Sequence, residues 1–122
     1  MTSLSPRSLQ LFRAPGQATW SPALFAKMLG LSEPDLAIAL EIPERVIRLQ
    51  PDDASVQKKL GSLADLFDRL LELNPDAATA ARHMKNIRIR VLANRTLLEA
   101  VKDNESEKAL RYLKSISGGQ SG

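Results

Sequence analysis

Residues 25–40 read FAKMLGLSEPDLAIAL, and they hold the strongest fold signal in the chain. Gly30 separates two apolar helical segments, and Ser32 is the type of residue that caps the start of the second one. Ala26 is small enough to let the two helices approach each other, and Leu36 is placed to fill the gap between them. The pattern therefore predicts a helix, a tight turn at the glycine and a second helix.

The composition favours an all-α protein. Apolar residues make up 43% of the 122-residue chain and are mostly Leu and Ala, which are good helix formers, whereas aromatic residues are few. The chain is long enough for one core. It has no cysteine, which excludes disulfides and thiolate metal sites. No apolar run approaches the roughly 20 residues that cross a membrane, and the N-terminus lacks the apolar segment of a signal peptide, so we expect a cytoplasmic protein.

Composition divides the chain into four segments. Residues 1–19 contain three Pro or Gly residues and few apolar ones. Ser5-Pro6 could start a short helix through Phe12, but we expect a mobile N-terminal arm. Residues 20–73 hold the two helices above and a long helix over Ala54–Leu73. Residues 74–117 form a C-terminal helical region, and residues 118–122 form a flexible tail.

The long helix carries an apolar stripe wide enough to face two neighbours. Both neighbours can be helices of the same chain, or one can belong to a second copy. The width of the stripe leads us to expect a homodimer. The stripe consists of Val56, Leu60, Leu63, Phe67 and Leu70.

The C-terminal region contains three helix-start signals. Asn74 is expected to cap an Ala-rich helix. Residues 96–99 (TLLE) and 104–107 (NESE) both have the form of a capping box, in which the first side chain and the fourth each bond the other residue's backbone N–H. They predict a short helix and then a longer one, and the alternating run 87–91 before them is expected to be an extended link.

No group of residues has a convincing catalytic spacing. Ser55 and Lys58 have the Ser-x-x-Lys spacing of acylating serine enzymes, but the companion motifs are missing. His83 is the single histidine, and no acid or nucleophile lies near it in the sequence. There is no metal-ligand cluster and no glycine-rich phosphate loop. We therefore expect a non-enzymatic protein without a cofactor or a metal.

Positive charge is concentrated in one part of the chain. The net charge is +3, and residues 77–98 contain five cations and no acid. Such a run indicates either a solvated face or a surface for an acidic partner, which could be DNA phosphate or an acidic protein. The five cations are Arg82, Lys85, Arg88, Arg90 and Arg95.

The second helix of residues 25–40 is acidic instead. None of its expected outward positions holds an Arg, Lys, Asn or Gln, the residues that read base edges in the major groove. Two aliphatic residues expected to be exposed among them, Ala37 and Ile38, favour a protein contact. Those outward positions are Glu33, Pro34, Asp35, Ala37, Ile38 and Glu41. DNA binding would need cations outside this helix, and the candidates are Arg45, Arg48, Lys58 and Lys59.

The order of these features resembles that of the Xre/MbcA/ParS-type antitoxins of bacterial type II toxin–antitoxin systems. Residues 25–40 are similar to the helix-turn-helix of Xre-type repressors, and residues 92–116 are similar to the family's C-terminal toxin-binding region. In that region the family has a Gly-Arg-Thr-Pro-Leu-like turn, a short helix and a final helix patterned V-x-x-L-x-x-I. This chain keeps Arg95, Thr96 and Leu98 of the turn but has Ala93-Asn94 in place of the usual Gly-Gly and Leu97 in place of the Pro.

The resemblance implies an all-α antitoxin with an Xre-like helix-turn-helix followed by a small helical toxin-binding region. Its partner would be a RES-domain toxin, a class that depletes NAD, and it would repress its own operon through operator DNA. The implied toxin contacts are Asn94, Arg95, Thr96, Arg111, Lys114 and the tail Ser117–Gly122. Two other interpretations stay open: a helix-turn-helix DNA-binding repressor without a toxin partner, and a helical adaptor or oligomerisation module.

Overall fold

The computed structural model describes residues 7–14 and 16–118, and this part of the chain is all-helical, without a β-strand. None of its helices combines the length and the hydropathy needed to cross a membrane. The helices are α1 (Arg7–Phe12), α2 (Pro22–Leu29), α3 (Glu33–Leu40), α4 (Glu44–Leu49), α5 (Ala54–Leu73), α6 (Ala77–Asn86), α7 (Leu97–Lys102) and α8 (Ser106–Gly118), with a 3₁₀ turn at Arg90–Leu92 between α6 and α7.

The long helix α5 lies at the centre of the core, with the bounds that its sequence predicts. Asp53 caps it by accepting hydrogen bonds from the backbone N–H groups of Ser55 and Val56. Its apolar stripe is covered by α1, α6, α7 and α8 of the same chain. The width of the stripe therefore has an explanation within one molecule and does not argue for a dimer.

The N-terminal segment differs from the expected mobile arm. Residues 7–12 form a helix, and the Phe12 side chain is fully buried against the ring of Phe25, with ring centroids 3.9 Å apart. The Ser8 hydroxyl and backbone N–H both donate to the Asp68 carboxylate, at 2.7 and 2.9 Å. A segment with few apolar residues is ordered here because one large side chain fills the gap between α2 and α5. The first six residues lie outside the described part.

The turn between α2 and α3 follows its sequence prediction. Gly30 adopts a left-handed backbone conformation, with φ of 72°, and Leu31 N–H closes the helix end on the Ala26 carbonyl at 2.8 Å. Ser32 caps α3 by accepting from Asp35 N–H. Leu36 is completely buried, as expected.

Two expected details on α3 and α6 are wrong. Ala37 does not face outward; it is 2% exposed, and α3 packs against both α4 and α7. The helix α6 begins at Ala77 and is capped by Asp76, which accepts from Thr79 N–H. The side chain of Asn74 accepts from Asp76 N–H instead, and so it orders the turn before the helix rather than the helix itself.

The two predicted capping boxes have different outcomes. In the first, Thr96 Oγ1 accepts from Glu99 N–H at 3.1 Å, and the Glu99 carboxylate accepts from Thr96 N–H at 2.9 Å, so the prediction is confirmed. In the second, Asn104 is not a cap for α8. Its φ is 62°, and it ends α7 by donating from its backbone to the Val101 carbonyl. Too few residues separate the two helices for Asn104 to serve both.

Candidate functional site

The segment that precedes α7 is a tight loop, not the extended link expected for residues 87–91. Ile89 and Arg95 pair through an isolated antiparallel bridge, with Ile89 N–H donating to the Arg95 carbonyl at 3.0 Å. The 3₁₀ turn lies between them. Ala93 and Asn94 then both have φ of 61°, the left-handed region that costs a non-glycine residue roughly 1–2 kcal/mol. The loop is therefore held in shape by its surroundings, not by its own residue preferences.

Arg95 is the main brace of this loop. Its guanidinium donates to the Leu92 carbonyl at 2.7 Å and to Asp103 Oδ2 at 2.8 Å, and it also pairs with Glu105. Hydrogen bonds to the two carboxylates raise the pKa of Arg95, and the guanidinium lowers the pKa of Asp103 and of Glu105. The predicted toxin contact is thus committed to internal partners, with a side chain only 21% exposed.

The other predicted contacts in this loop divide by exposure. Thr96 is 5% exposed, because its hydroxyl caps α7. Asn94 is exposed at the tip of the loop. Of the predicted trio at residues 94–96, Asn94 alone presents its side chain fully to solvent.

A groove of about 300 Å³ lies between the 3₁₀ turn and α8. We call it the basic groove. Val91, 57% exposed, and the half-buried Tyr112 give the groove its apolar surface. Lys108 and Arg111 add two positive charges. The basic groove is lined by Val91, Lys108, Arg111, Tyr112 and Ser115.

The remaining predicted contact, Lys114, lies on a different side of α8. It lines the cleft toward α5 together with Asp65 and Asp68. Burial, and then the charge of Asp68, raise the pKa of Asp65, while Lys114 acts in the opposite direction. Arg111 and Lys114 are therefore not parts of one surface. The predicted tail contact over residues 117–122 lies beyond the described side chains.

Several cations of the basic run are held by hydrogen bonds or ion pairs within the chain. Lys85 Nζ donates to the Leu29 carbonyl at 2.7 Å, at the end of α2. Arg88 donates to the Asn94 carbonyl at 2.9 Å and pairs with Glu99 at 3.3 Å. Together with the Arg95 brace, these contacts engage three of the five cations, so the run is not a continuous surface for an acidic partner.

The four candidate DNA contacts are similarly divided. Lys59 Nζ donates to the Leu40 carbonyl at 2.6 Å and to the Lys102 carbonyl at 3.1 Å, which places a cation at the C-terminal ends of α3 and α7. Arg48 pairs with Glu44 at 3.2 Å within α4. Arg45 and Lys58 are exposed. A lysine that satisfies two helix ends is not available for phosphate without a cost to the fold.

In the part of the chain that the structure describes, neither Ser55 nor His83, the two residues considered for catalysis, contacts a group that would activate it. The hydroxyl of Ser55 donates to the Asp53 carboxylate, as part of the cap of α5. His83 is half-buried, its Nε2 has no hydrogen-bond partner, and burial lowers its pKa. Across residues 7–14 and 16–118, no three His, Asp or Glu side chains are grouped so that they could hold a metal ion.

Sequence reasoning missed most of the basic groove. It named Arg111 but not Lys108, Tyr112 or Val91. A usable signal was present, because Lys108, Arg111 and Ser115 recur at three- and four-residue spacing along α8 and so share a face. Nothing in the sequence indicates that Val91 packs beside that face.

Comparison of the chain with protein-family models, curated proteins and solved structures gave no match.

Proposed function

We propose that this chain is the antitoxin of a type II toxin–antitoxin system, which binds and blocks a RES-type NAD-depleting toxin and autoregulates its own operon. The proposal rests on the resemblance of residues 25–40 and 92–116 to that family, together with the backbone of the loop before α7.

The observation that carries the proposal is the positive φ at both Ala93 and Asn94. The family has Gly-Gly at these two positions, and glycine is the residue that takes such φ values without a steric cost. This chain has Ala and Asn at these positions, and its backbone there has a conformation that suits glycine. The Arg and Thr that follow in the family pattern are Arg95, which braces the loop, and Thr96, which caps α7.

The basic groove supports the choice of partner. Arg111 and Arg90 are exposed, and neither forms a salt bridge within the described residues. The exposed Val91 beside them gives an apolar anchor. A partner segment with acidic residues around one apolar side chain would complement this surface. We assign toxin contact to the basic groove and to Asn94, with Arg95 and Thr96 as residues that hold the loop.

The exposed face of α3 makes the toxin-free repressor a weaker alternative. Asp35 and Glu41 flank Ile38, whose side chain is 73% exposed. Carboxylates on this face repel phosphate, and no counterion release offsets that repulsion. Operator contacts would have to come from elsewhere, with Arg45 and Lys58 as the exposed candidates.

The proposal is tested by co-expressing the chain with the product of the adjacent open reading frame. We expect the two proteins to co-purify, and we expect the chain to restore the cellular NAD that the neighbour alone depletes. A variant with Val91→Glu and Arg111→Glu should lose both effects, because it places negative charge in the basic groove.

A matched control changes one exposed aliphatic residue and one exposed arginine elsewhere. Leu49→Glu with Arg45→Glu makes the same charge change on α4, where Leu49 is 63% exposed. It should neutralise the toxin like the wild type. If the groove variant still protects cellular NAD fully, the assignment of this surface is wrong; if no neighbour co-purifies, the antitoxin proposal fails.

A further inference from the structure

A second site lies between α2 and α6, well separated in sequence from the basic groove. α6 packs directly on α2, and small residues at the contact leave an open cavity of about 240 Å³. Gly30, at the end of α2, and Ala78 and Ala81, on α6, provide the space. We call it the α2–α6 cavity.

Three cations line this cavity, and no carboxylate does. They are Lys27, Arg82 and Lys85. Neither helix contains an acidic residue, because α2 reads PALFAKML and α6 reads AATAARHMKN. The nearest charge partner is Asp76 at the start of α6, which interacts with Arg82 while its own carboxylate is occupied by Thr79.

Helix capping explains only part of this charge. The C-terminal ends of α2 and α6 both meet at the cavity, and each carries a partial charge of roughly −0.5. Three unit charges against two such half-charges, with Asp76 partly balancing Arg82, leave an excess of about one to two. Lys85 serves as the cap, since its Nζ donates to the Leu29 carbonyl, and a lysine ammonium keeps two further N–H groups.

We propose that the α2–α6 cavity binds a phosphate monoester or free phosphate, with Lys27, Arg82 and Lys85 as its charged contacts. A terminal phosphate carries about −1.5 to −2 at neutral pH and offers three acceptor oxygens to the three cations, whereas a phosphodiester of a nucleic-acid backbone carries only about −1. The amide of Asn86 adds a neutral donor at the rim. The site is independent of the toxin partner.

The test is a titration of the full chain, followed by amide NMR shifts at constant ionic strength, with inorganic phosphate in one arm and AMP in the other. We expect saturable shifts at Gly30, Ala81 and Lys85. Tighter binding of AMP identifies a nucleotide as the source, and equal affinity identifies free phosphate. Shifts scattered over all surface cations, or a lack of saturation, would overturn the proposal.

Two pairs of substitutions distinguish phosphate binding in this cavity from phosphate binding to surface cations in general. Lys27→Gln with Arg82→Gln removes two exposed charges from the cavity and should weaken phosphate binding by about tenfold or more, since each lost contact is charge-assisted. Lys108→Gln with Arg111→Gln makes the same change in the basic groove and should leave the affinity unaltered. Equal losses in both pairs would overturn the site. Tighter binding of duplex DNA than of AMP, lost in the first pair, would overturn the choice of a monoester.

Discussion

The backbone of Ala93 gives the sharpest prediction, because a single substitution tests the loop that carries the functional proposal. At φ of 61°, an L-residue is disfavoured by roughly 1–2 kcal/mol relative to glycine. Replacing it with glycine also loosens the unfolded chain, which costs about 0.4–1 kcal/mol. Ala93→Gly should therefore stabilise the protein by about 0.5–1 kcal/mol. In a chain of this size, that raises the Tm by about 2–5 °C.

The assay is thermal unfolding followed by circular dichroism, with urea unfolding as a second measure of the free energy. The matched control is Ala78→Gly, an identical chemical change at an exposed position in the first turn of α6. It should destabilise by up to about 0.5 kcal/mol, because glycine is a poor helix residue and its cost is largest in helix interiors. Asn94→Gly should have a smaller effect than Ala93→Gly, since Asn tolerates the left-handed region. A Tm that falls with Ala93→Gly as it does with Ala78→Gly would refute the left-handed loop and the support it gives to the antitoxin proposal.

Three further outcomes follow from the same contacts. Phe12→Ala should cost about 3–5 kcal/mol in urea unfolding, because the ring is fully buried; a loss below 1 kcal/mol would mean that α1 is not part of the core. Thr96→Ala should cost about 1 kcal/mol by removing the cap of α7, and Thr96→Ser should recover most of it. Arg95 lowers the pKa of its two carboxylate partners, so their stabilisation is present above the ordinary carboxyl pKa and is lost as pH falls through the lowered one. Arg95→Gln should therefore flatten the acid limb of the stability–pH curve, and an unchanged limb would contradict the brace.

Local signals predicted the helices that begin and end with strong caps. Ser32 and Thr96 each bond the backbone three residues on, as their positions in the sequence indicate. The break at residues 50–53 and the apolar stripe after it together predicted the bounds of α5. These predictions succeed because a cap or a stripe depends on residues within one or two turns of each other.

The sequence does not show contacts whose partners lie far away in the chain. Lys59 satisfies carbonyls 19 and 43 residues away, and Phe12 is ordered by rings on two other helices. Asn104 is a different case. This residue type suits the end of α7 as well as the start of α8, and the short connection between the two helices leaves Asn104 at the end of α7. The sequence names the residue types for these roles but not which role each residue takes.

The cations show most clearly why a count of charges is a poor guide to the working surface. Lys85 and Lys59 lie at helix C-termini, and Arg95 is held by two carboxylates from the junction of α7 and α8. Each of these would be expensive to redirect, because its removal leaves carbonyls or carboxylates unpaired. A partner can recruit only those cations whose removal costs the fold little. By that criterion Arg111 in the basic groove, and Lys27 with Arg82 in the α2–α6 cavity, are among the charges that a ligand can recruit fully. Lys85 can contribute only the two N–H groups that its bond to the Leu29 carbonyl leaves over. Gln variants of Arg111, Lys27 and Arg82 should therefore have nearly the free energy of unfolding of the wild type, whereas their affinity for the partner or for phosphate should fall strongly.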